Sequence, residues 1–423
     1  MKTVRIICRV CIGLLFIFSG YVKAIDPTGS QIIFTEYFKA FHLDFFIPWG
    51  PALVAWCAST AELLIGCCAL LGVRMKETAW ATAIFMGFFT ILTLILAVFN
   101  PVTDCGCFGE AIKLTNWQTF FKNLLILPFA AVMFWQRESY KSFASRRAEW
   151  VTAGVLALLP LILSAYCYRH LPLIDFMAYK VGANITEVKE DNRPDEFFTL
   201  LYYEKDGLEQ EFTMENYPKD TAWKFVRAAN KVIKKGYVSP MVDFSILNLS
   251  DRTDVTDSIL QLPGYVFLLV LPHAEESSLK YAAKINALAD YCAVKDSMHF
   301  FALSGSGEEA VSQFAVQTGA MYSFYTTDEK PLKSMVRANP GLVLLQDATV
   351  IAKWSAADIP SPEQLQKKII AGGNERTIVC HKIYEQLTTE ILFFILFAAM
   401  AVWGFTFRKV SGKQTANRPA ADL

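Results

Sequence analysis

Of the 423 residues, 53% are hydrophobic, Phe alone contributes 33, and the mean hydropathy is +0.31. Such a chain is too apolar to be wholly soluble; it reads as membrane spans joined to something globular, in two or three domains. Lys plus Arg and Asp plus Glu balance at 40 each, which removes any global electrostatic case for nucleic-acid binding. The 10 cysteines are not spaced as a secreted disulfide framework, and most lie in apolar segments where a thiol acts as a small hydrophobe.

The first apolar run, Val4 to Ala24, is too long and too poorly ended for a cleaved leader, so it is expected to stay as a span. Ile25 to Ile47 reads as a polar and aromatic loop, with Asp26-Pro27 and Thr28-Gly29 as turn signals. Further spans are expected at Trp49–Gly72, Thr78–Phe99, Trp117–Trp135, Trp150–Tyr168 and Ile391–Phe407, with Pro128 and Pro160 kinking theirs. Six spans put Lys2, Arg5 and Arg9, then Arg74 and Lys76, then Arg137 to Arg147, then Arg408 to Arg418 on one side. The positive-inside rule makes that side the cytoplasm, with both termini there. The loop after Phe99 and the segment from Arg169 to Glu390 then face outward, into the periplasm of a bacterial cell.

That segment is soluble in pattern. Phe197–Thr213 reads as a hairpin turning at Lys205-Asp206-Gly207, and Asp220–Lys235 reads as an Ala-rich helix. Strands at Tyr265–Leu271, Met298–Leu303 and Tyr322–Tyr325 alternate with helices at Glu275–Tyr291 and Glu308–Thr318. Leu342–Leu345 and Val350–Trp354 close the segment as a hairpin, and the alternation argues for an α/β layer fold. The resulting division is residues 1–137 (four spans), 148–168 (fifth span), 169–236 (connecting region), 237–372 (α/β domain), 390–408 (sixth span) and 409–423 (tail).

The chemistry is concentrated in Asp104-Cys105-Gly106-Cys107-Phe108-Gly109-Glu110, a polar loop between two apolar runs. The Gly between the cysteines lets the backbone turn so that a small, strained and therefore labile disulfide can close. The bland alternative is two loop cysteines without chemistry. No His or third Cys lies nearby to complete a metal set, so no metal is expected. Asp104 and Glu110 would raise the thiol pKa, with Lys113 opposing them. Cys167 and Cys380, at the outward ends of spans five and six, are candidate relay partners for the pair. Glu62, a carboxyl in the middle of the second span, is a functional candidate by its cost alone. Its sharper reading lines a pocket for a quinone that recharges the cysteines as electron acceptor; its bland reading is a protonated, hydrogen-bonded carboxyl. Lys23 is expected to snorkel to the interface.

The first third of the chain resembles the DoxX-like membrane families, and among them the MauE group of methylamine utilisation. The resemblance rests on FSGYVKAIDP at Phe18–Pro27, AELLIG at Ala61–Gly66 and DCGCFG at Asp104–Gly109. It implies a bundle similar to that of vitamin K epoxide reductases and a thiol–disulfide role for Cys105 and Cys107 in maturing an exported protein. The outer domain resembles thioredoxin-type folds of the TlpA or peroxiredoxin-like sort, through Tyr237–Leu271 and through Asn339-Pro340-Gly341, where that family places a cis proline. Where such a domain carries Cys-x-x-Cys, this chain has Pro272-His273-Ala274-Glu275-Glu276, so dithiol exchange by that route is closed to it. Cys292 reads as core, and Ser304-Gly305-Ser306-Gly307 as a strand-to-helix turn. The expected function is a membrane thiol–disulfide oxidoreductase or disulfide-maturation factor whose outer domain docks an extracytoplasmic client. The alternatives are a non-catalytic assembly scaffold and, third, a small-molecule transporter.

Overall fold

The computed structural model describes residues 2–102, 105–140, 145–191, 196–205, 207–214, 216–218, 220, 222–234, 239–366, 377–378, 381, 383–385 and 387–388. The expected sixth span, Cys380 and Asp104 lie outside the described residues.

The N-terminal third is a helical bundle: α1 (Lys2–Ile25), α2 (Pro27–Ala40), α3 (Gly50–Leu71), α4 (Met75–Phe99) and α5 (Asn116–Trp135), followed by α6 (Arg146–Arg169). All of these but α2 are long and apolar enough to cross a membrane, which makes five spans among the described residues. The protein is a multi-pass membrane protein. Its exterior carries Phe88, Phe99, Leu125 and Ile162 fully in the open, as a lipid-facing surface requires. The α5 and α6 helices continue through Pro128 and Pro160.

Small residues decide how closely the bundle packs. A Cβ on Gly20 would stand 2.6 Å from the Leu63 backbone nitrogen, and one on Gly66 2.7 Å from that of Ile17. The α1–α3 crossing is therefore set by glycine at both points, the usual device where no hydrophobic effect drives helices together. At the basic end of the bundle, Arg5 donates to the Ser139 carbonyl at 2.8 Å and Lys76 meets Glu138 at 2.8 Å, so the N-terminus and both basic loops share one face.

The segment Ile25–Ile47, expected to be a loop, contains α2. Asp26-Pro27 is a helix start rather than a turn: the Asp26 carboxylate accepts from the Gly29 N–H at 2.8 Å, and Pro27 occupies the first turn, where its missing donor costs nothing.

Beyond the bundle come α7 (Ile185–Glu190) and a three-stranded antiparallel sheet of β1 (Glu196–Lys205), β2 (Leu208–Thr213) and β3 (Lys224–Lys234), in the order β2-β1-β3. The β1–β2 hairpin is the one the alternation predicts. The helix expected over Asp220–Lys235 is instead β3. Its Ala-rich composition favours a helix locally, but β1 would be left with an open edge, and pairing across Leu200↔Ala229 and Leu201↔Ala228 overrides propensity.

The α/β domain runs β4 (Leu247–Asn248), α8 (Thr256–Leu260), β5 (Tyr265–Leu271), α9 (Ala282–Ala293), β6 (Met298–Ser304), α10 (Glu308–Thr318), β7 (Ser323–Thr326), α11 (Glu329–Met335), β8 (Gly341–Gln346), β9 (Thr349–Ser355) and α12 (Pro362–Leu365). Its sheet has the order β4-β7-β6-β5-β8-β9, with β5, β6 and β7 parallel and β8 antiparallel to β5. Strand β5 is apolar throughout because both faces are covered: Val266, Leu268 and Val270 enter one core, and Phe267, Leu269 and Leu271 the other. The helix expected from Glu275 begins only at Ala282. Side-chain bonds hold the preceding turn out of helix: Glu275 accepts from Ser306, and the Ser277 hydroxyl lies within hydrogen-bond reach of both the His273 carbonyl and the Asn339 side chain, with one hydrogen to give. Tyr179, Val181 and Ile185, which sequence placed in the connecting region, belong to the α/β core, and Gly182 donates to the Val350 carbonyl on β9 at 2.7 Å.

Candidate functional site

The loop between α4 and α5 is fixed at both ends by asparagine. Asn100 caps α4 in the left-handed conformation, and the Asn116 amide donates to the Asn100 side chain at 2.8 Å and to the Val102 carbonyl at 2.7 Å. A capping box of Thr115 and Gln118 starts α5. Between these anchors Gly106 sits at φ +64°, the turn that brings Cys105 and Cys107 onto one side of the loop.

Three helices grip that turn. From α1, Ser19 donates to the Cys107 carbonyl at 2.7 Å; from α2, the Tyr37 hydroxyl donates to the Cys105 carbonyl at 2.9 Å. From α5, the Thr119 hydroxyl lies 3.1 Å from Cys105 Sγ. Cys105 is buried with Tyr37, Leu96 and Val102, and Cys107 is half-buried; both are free thiols. The cysteines are thus placed by side chains from well outside their own loop.

Of the two acids expected to raise the thiol pKa, Glu110 lies among the described residues and Asp104 does not. Glu110 is drawn away from the thiols, to Lys113 at 2.9 Å and to Arg337 of the α/β domain at 3.4 Å. Instead, the Cys107 thiol donates to Cys105 and holds the Cys105 thiol below its ordinary range; the Thr119 hydroxyl and the Lys122 charge add to this against the effect of burial. The same bond, together with burial, pushes Cys107 up. The pair is thereby split in direction, with Cys105 shifted toward the thiolate and Cys107 toward the protonated thiol. The Lys122 ammonium also sits 4.3 Å from the centre of the Phe108 ring, a cation–π contact across the loop.

Behind the pair lies a cavity of about 320 Å³, into which Cys105, Gly106 and Cys107 all face. Its wall is aromatic and aliphatic, including Phe16, Phe34, Phe85 and Phe89, and its polar groups are few: Ser19, Lys23, Glu62, Lys122 and Asn123 stand out. Phe41, Leu43 and Phe88 line it and are also exposed on the outside of the bundle.

Lys23 does not snorkel. Its ammonium is buried and donates to Glu62 Oε1 at 2.6 Å and to Ser19 at 3.2 Å. With a carboxylate one helix away, a buried pair replaces the long reach to the interface. Glu62 Oε2 is buried with no hydrogen-bond partner among the described residues. Sequence reasoning found Glu62 but missed Lys23, Ser19, Tyr37 and Thr119. Only the spacing of Ser19 and Lys23, one helical turn apart on α1, carried a signal for any of them.

Cys167 is a buried free thiol near the end of α6 and does not line the cavity. Cys292 is core in the α/β domain, where burial pushes its thiol to about 12. His273, at the position of the missing Cys-x-x-Cys, lies 3.3 Å from Glu329. No group of metal-ligating side chains comes together among the described residues. The peptide between Asn339 and Pro340 is cis.

Residues 1–136 match the family described as Methylamine utilisation protein MauE, and residues 197–235 match a domain of unknown function, DUF8463. No curated protein matches the chain. Among solved structures, the chain is similar to the solution structure of a candidate protein disulfide isomerase from Bacteroides thetaiotaomicron. That likeness covers 31% of this chain and 86% of the other, at 15% identity and a TM-score of 0.26.

Proposed function

We propose that this protein is a membrane thiol–disulfide oxidoreductase that matures extracytoplasmic clients through Cys105 and Cys107. The observation that carries this reading is that both cysteines line one apolar cavity whose wall includes Phe41, Leu43 and Phe88, which are exposed on the bundle exterior. The match of residues 1–136 to MauE supports a membrane protein linked to disulfide processes. The gathering of basic residues at the opposite end of the bundle supports a cytoplasmic assignment for that end, with the cysteine loop and the α/β domain in the periplasm.

In this reading a client dithiol attacks the Cys105–Cys107 disulfide; the client leaves with the disulfide and the pair becomes a dithiol. Two electrons and two protons then pass from the dithiol to a quinone in the cavity, which becomes a quinol as the S–S bond re-forms. The cavity suits such a ring: it is apolar and aromatic-walled, and it shares Phe41, Leu43 and Phe88 with the bundle exterior, from which an acceptor dissolved in the bilayer would enter. The α/β domain, thioredoxin-like but without Cys-x-x-Cys, docks the client and takes no part in exchange.

The test is oxidation of a model dithiol coupled to reduction of a short-chain quinone in membranes containing wild type, Cys105→Ser, Cys107→Ser or the double variant. Loss of the coupled reaction in each single variant, at equal expression, supports the oxidoreductase. Unchanged biological function in the double variant would make the cysteine loop structural and the protein an assembly scaffold.

A further inference from the structure

We propose that Lys23 and Glu62 together form the acceptor-binding element of the cavity, reading one ring oxygen in both of its redox states. The inference rests on the oxidoreductase reading above and assigns residues that the sequence did not pair.

A buried ion pair is a poor stabilising device. Desolvation of two charges offsets most of their attraction, and replacing both partners by apolar groups is often neutral or better. The pair is not needed to join α1 to α3, because Gly20 and Gly66 already bring those helices into backbone contact. Both residues line the cavity, and the pair is incomplete as built: Glu62 Oε2 is buried without a partner. An unpartnered carboxylate oxygen beside an apolar cavity marks a place where a ligand's donor completes the bonding.

The geometry gives each residue a distinct part. Lys23 carries three N–H donors; one goes to Glu62 and one to Ser19, which leaves one for a ligand. A quinone carbonyl accepts that donor, and the ammonium stabilises the negative charge that develops on the oxygen during reduction. Once the ring is a quinol its oxygen carries a hydrogen, and Glu62 Oε2 accepts from it. Donor and acceptor side by side therefore suit one oxygen before and after the reaction. Ser19 ties this element to the cysteines, because it accepts from Lys23 and donates to the Cys107 carbonyl.

The experiment separates the two half-reactions by rapid alkylation of Cys105 and Cys107 in purified full-length protein. Reduction of the pair by a model dithiol is followed first; reoxidation of the reduced pair by a short-chain benzoquinone is followed second. Lys23→Met is expected to slow reoxidation about 100-fold while leaving reduction within twofold. Lys23→Arg is expected to restore most of the rate. Glu62→Gln is expected to raise the quinone concentration needed for half-maximal rate more than it lowers the limiting rate. Because Lys23→Met strands a buried carboxylate, the variant Lys23→Met/Glu62→Met removes both charges and keeps a folded comparison. Reoxidation at the wild-type rate in that double variant overturns the proposal and leaves the oxidoreductase standing. Failure of any quinone to oxidise the wild-type pair overturns both.

Discussion

The Arg337 guanidinium of the α/β domain lies 3.4 Å from the Glu110 carboxylate of the cysteine loop and 3.2 Å from Asp26, the cap of α2. It is buried, and it also donates to the Lys333 carbonyl at 2.8 Å. One side chain thus joins the soluble domain to both segments that shape the thiol site. It also pairs with Glu110, one of the two acids that flank the cysteines in sequence.

Arg337→Ala strands Asp26 and Glu110 and is expected to cost about 2 kcal/mol, below the range for a fully buried pair because Glu110 is partly exposed. Thermal unfolding in detergent measures this. The loss is expected to shrink when Asp26→Asn and Glu110→Gln are already present. An equal loss in both backgrounds would show that Arg337 acts by packing alone.

The pH dependence of the thiols follows from their hydrogen bond. Cys105 is held low chiefly by the Cys107 thiol, so its thiolate is present at neutral pH and its alkylation rate levels off below the ordinary thiol range. Cys107→Ala removes that donor, and the Cys105 profile is expected to move to higher pH. Once the midpoint has passed about pH 7, each further pH unit of movement lowers the neutral-pH rate about tenfold and leaves the alkaline rate unchanged. An unmoved profile would put the cause in Lys122 and Thr119 instead.

The five described spans were legible because apolar runs bounded by Trp and basic loops are long-range signals that a bilayer enforces. The cysteine turn was legible because Gly106 readily takes the left-handed φ that such a turn needs. What was not legible depended on distant partners. Lys23 looks like a snorkelling residue until Glu62, 39 positions away, is seen beside it. Lys224–Lys234 looks helical until β1 supplies its edge. The start of α2 was readable and misread, since Asp-Pro serves both turns and helix caps. Arg337 carried no signal, because its role exists only where two domains meet.

Gly106→Ala tests the loop geometry. The new Cβ would sit at a left-handed φ and within 2.7 Å of Ile33 Cδ1 on α2. The conformational part costs roughly 1 kcal/mol, and the clash displaces Tyr37 from the Cys105 carbonyl. Reoxidation of the pair by quinone is expected to slow about tenfold. Adding Ile33→Ala is expected to recover the steric part and leave the conformational part. Full recovery would mean that backbone strain plays no role.

Gly20→Ala probes the α1–α3 crossing. Its Cβ meets backbone rather than a flexible side chain, so the helices must separate, at about 1–3 kcal/mol. The expected results are a lower unfolding midpoint and a weakened response to quinone, because Lys23 and Glu62 move apart with their helices. A lower midpoint with unchanged quinone kinetics would uncouple the pair from the crossing.

In the proposed cycle, Cys105 and Cys107 exchange electrons with an acceptor in the adjoining cavity. Differential alkylation and mass spectrometry of the two cysteines in isolated membranes, reduced and then exposed to a short-chain quinone without oxygen, tests it most directly. The expected result is a Cys105–Cys107 disulfide that forms with quinone, reverts with added dithiol, and appears alongside one quinol per disulfide. Two thiols that stay free whatever quinone is supplied would contradict it.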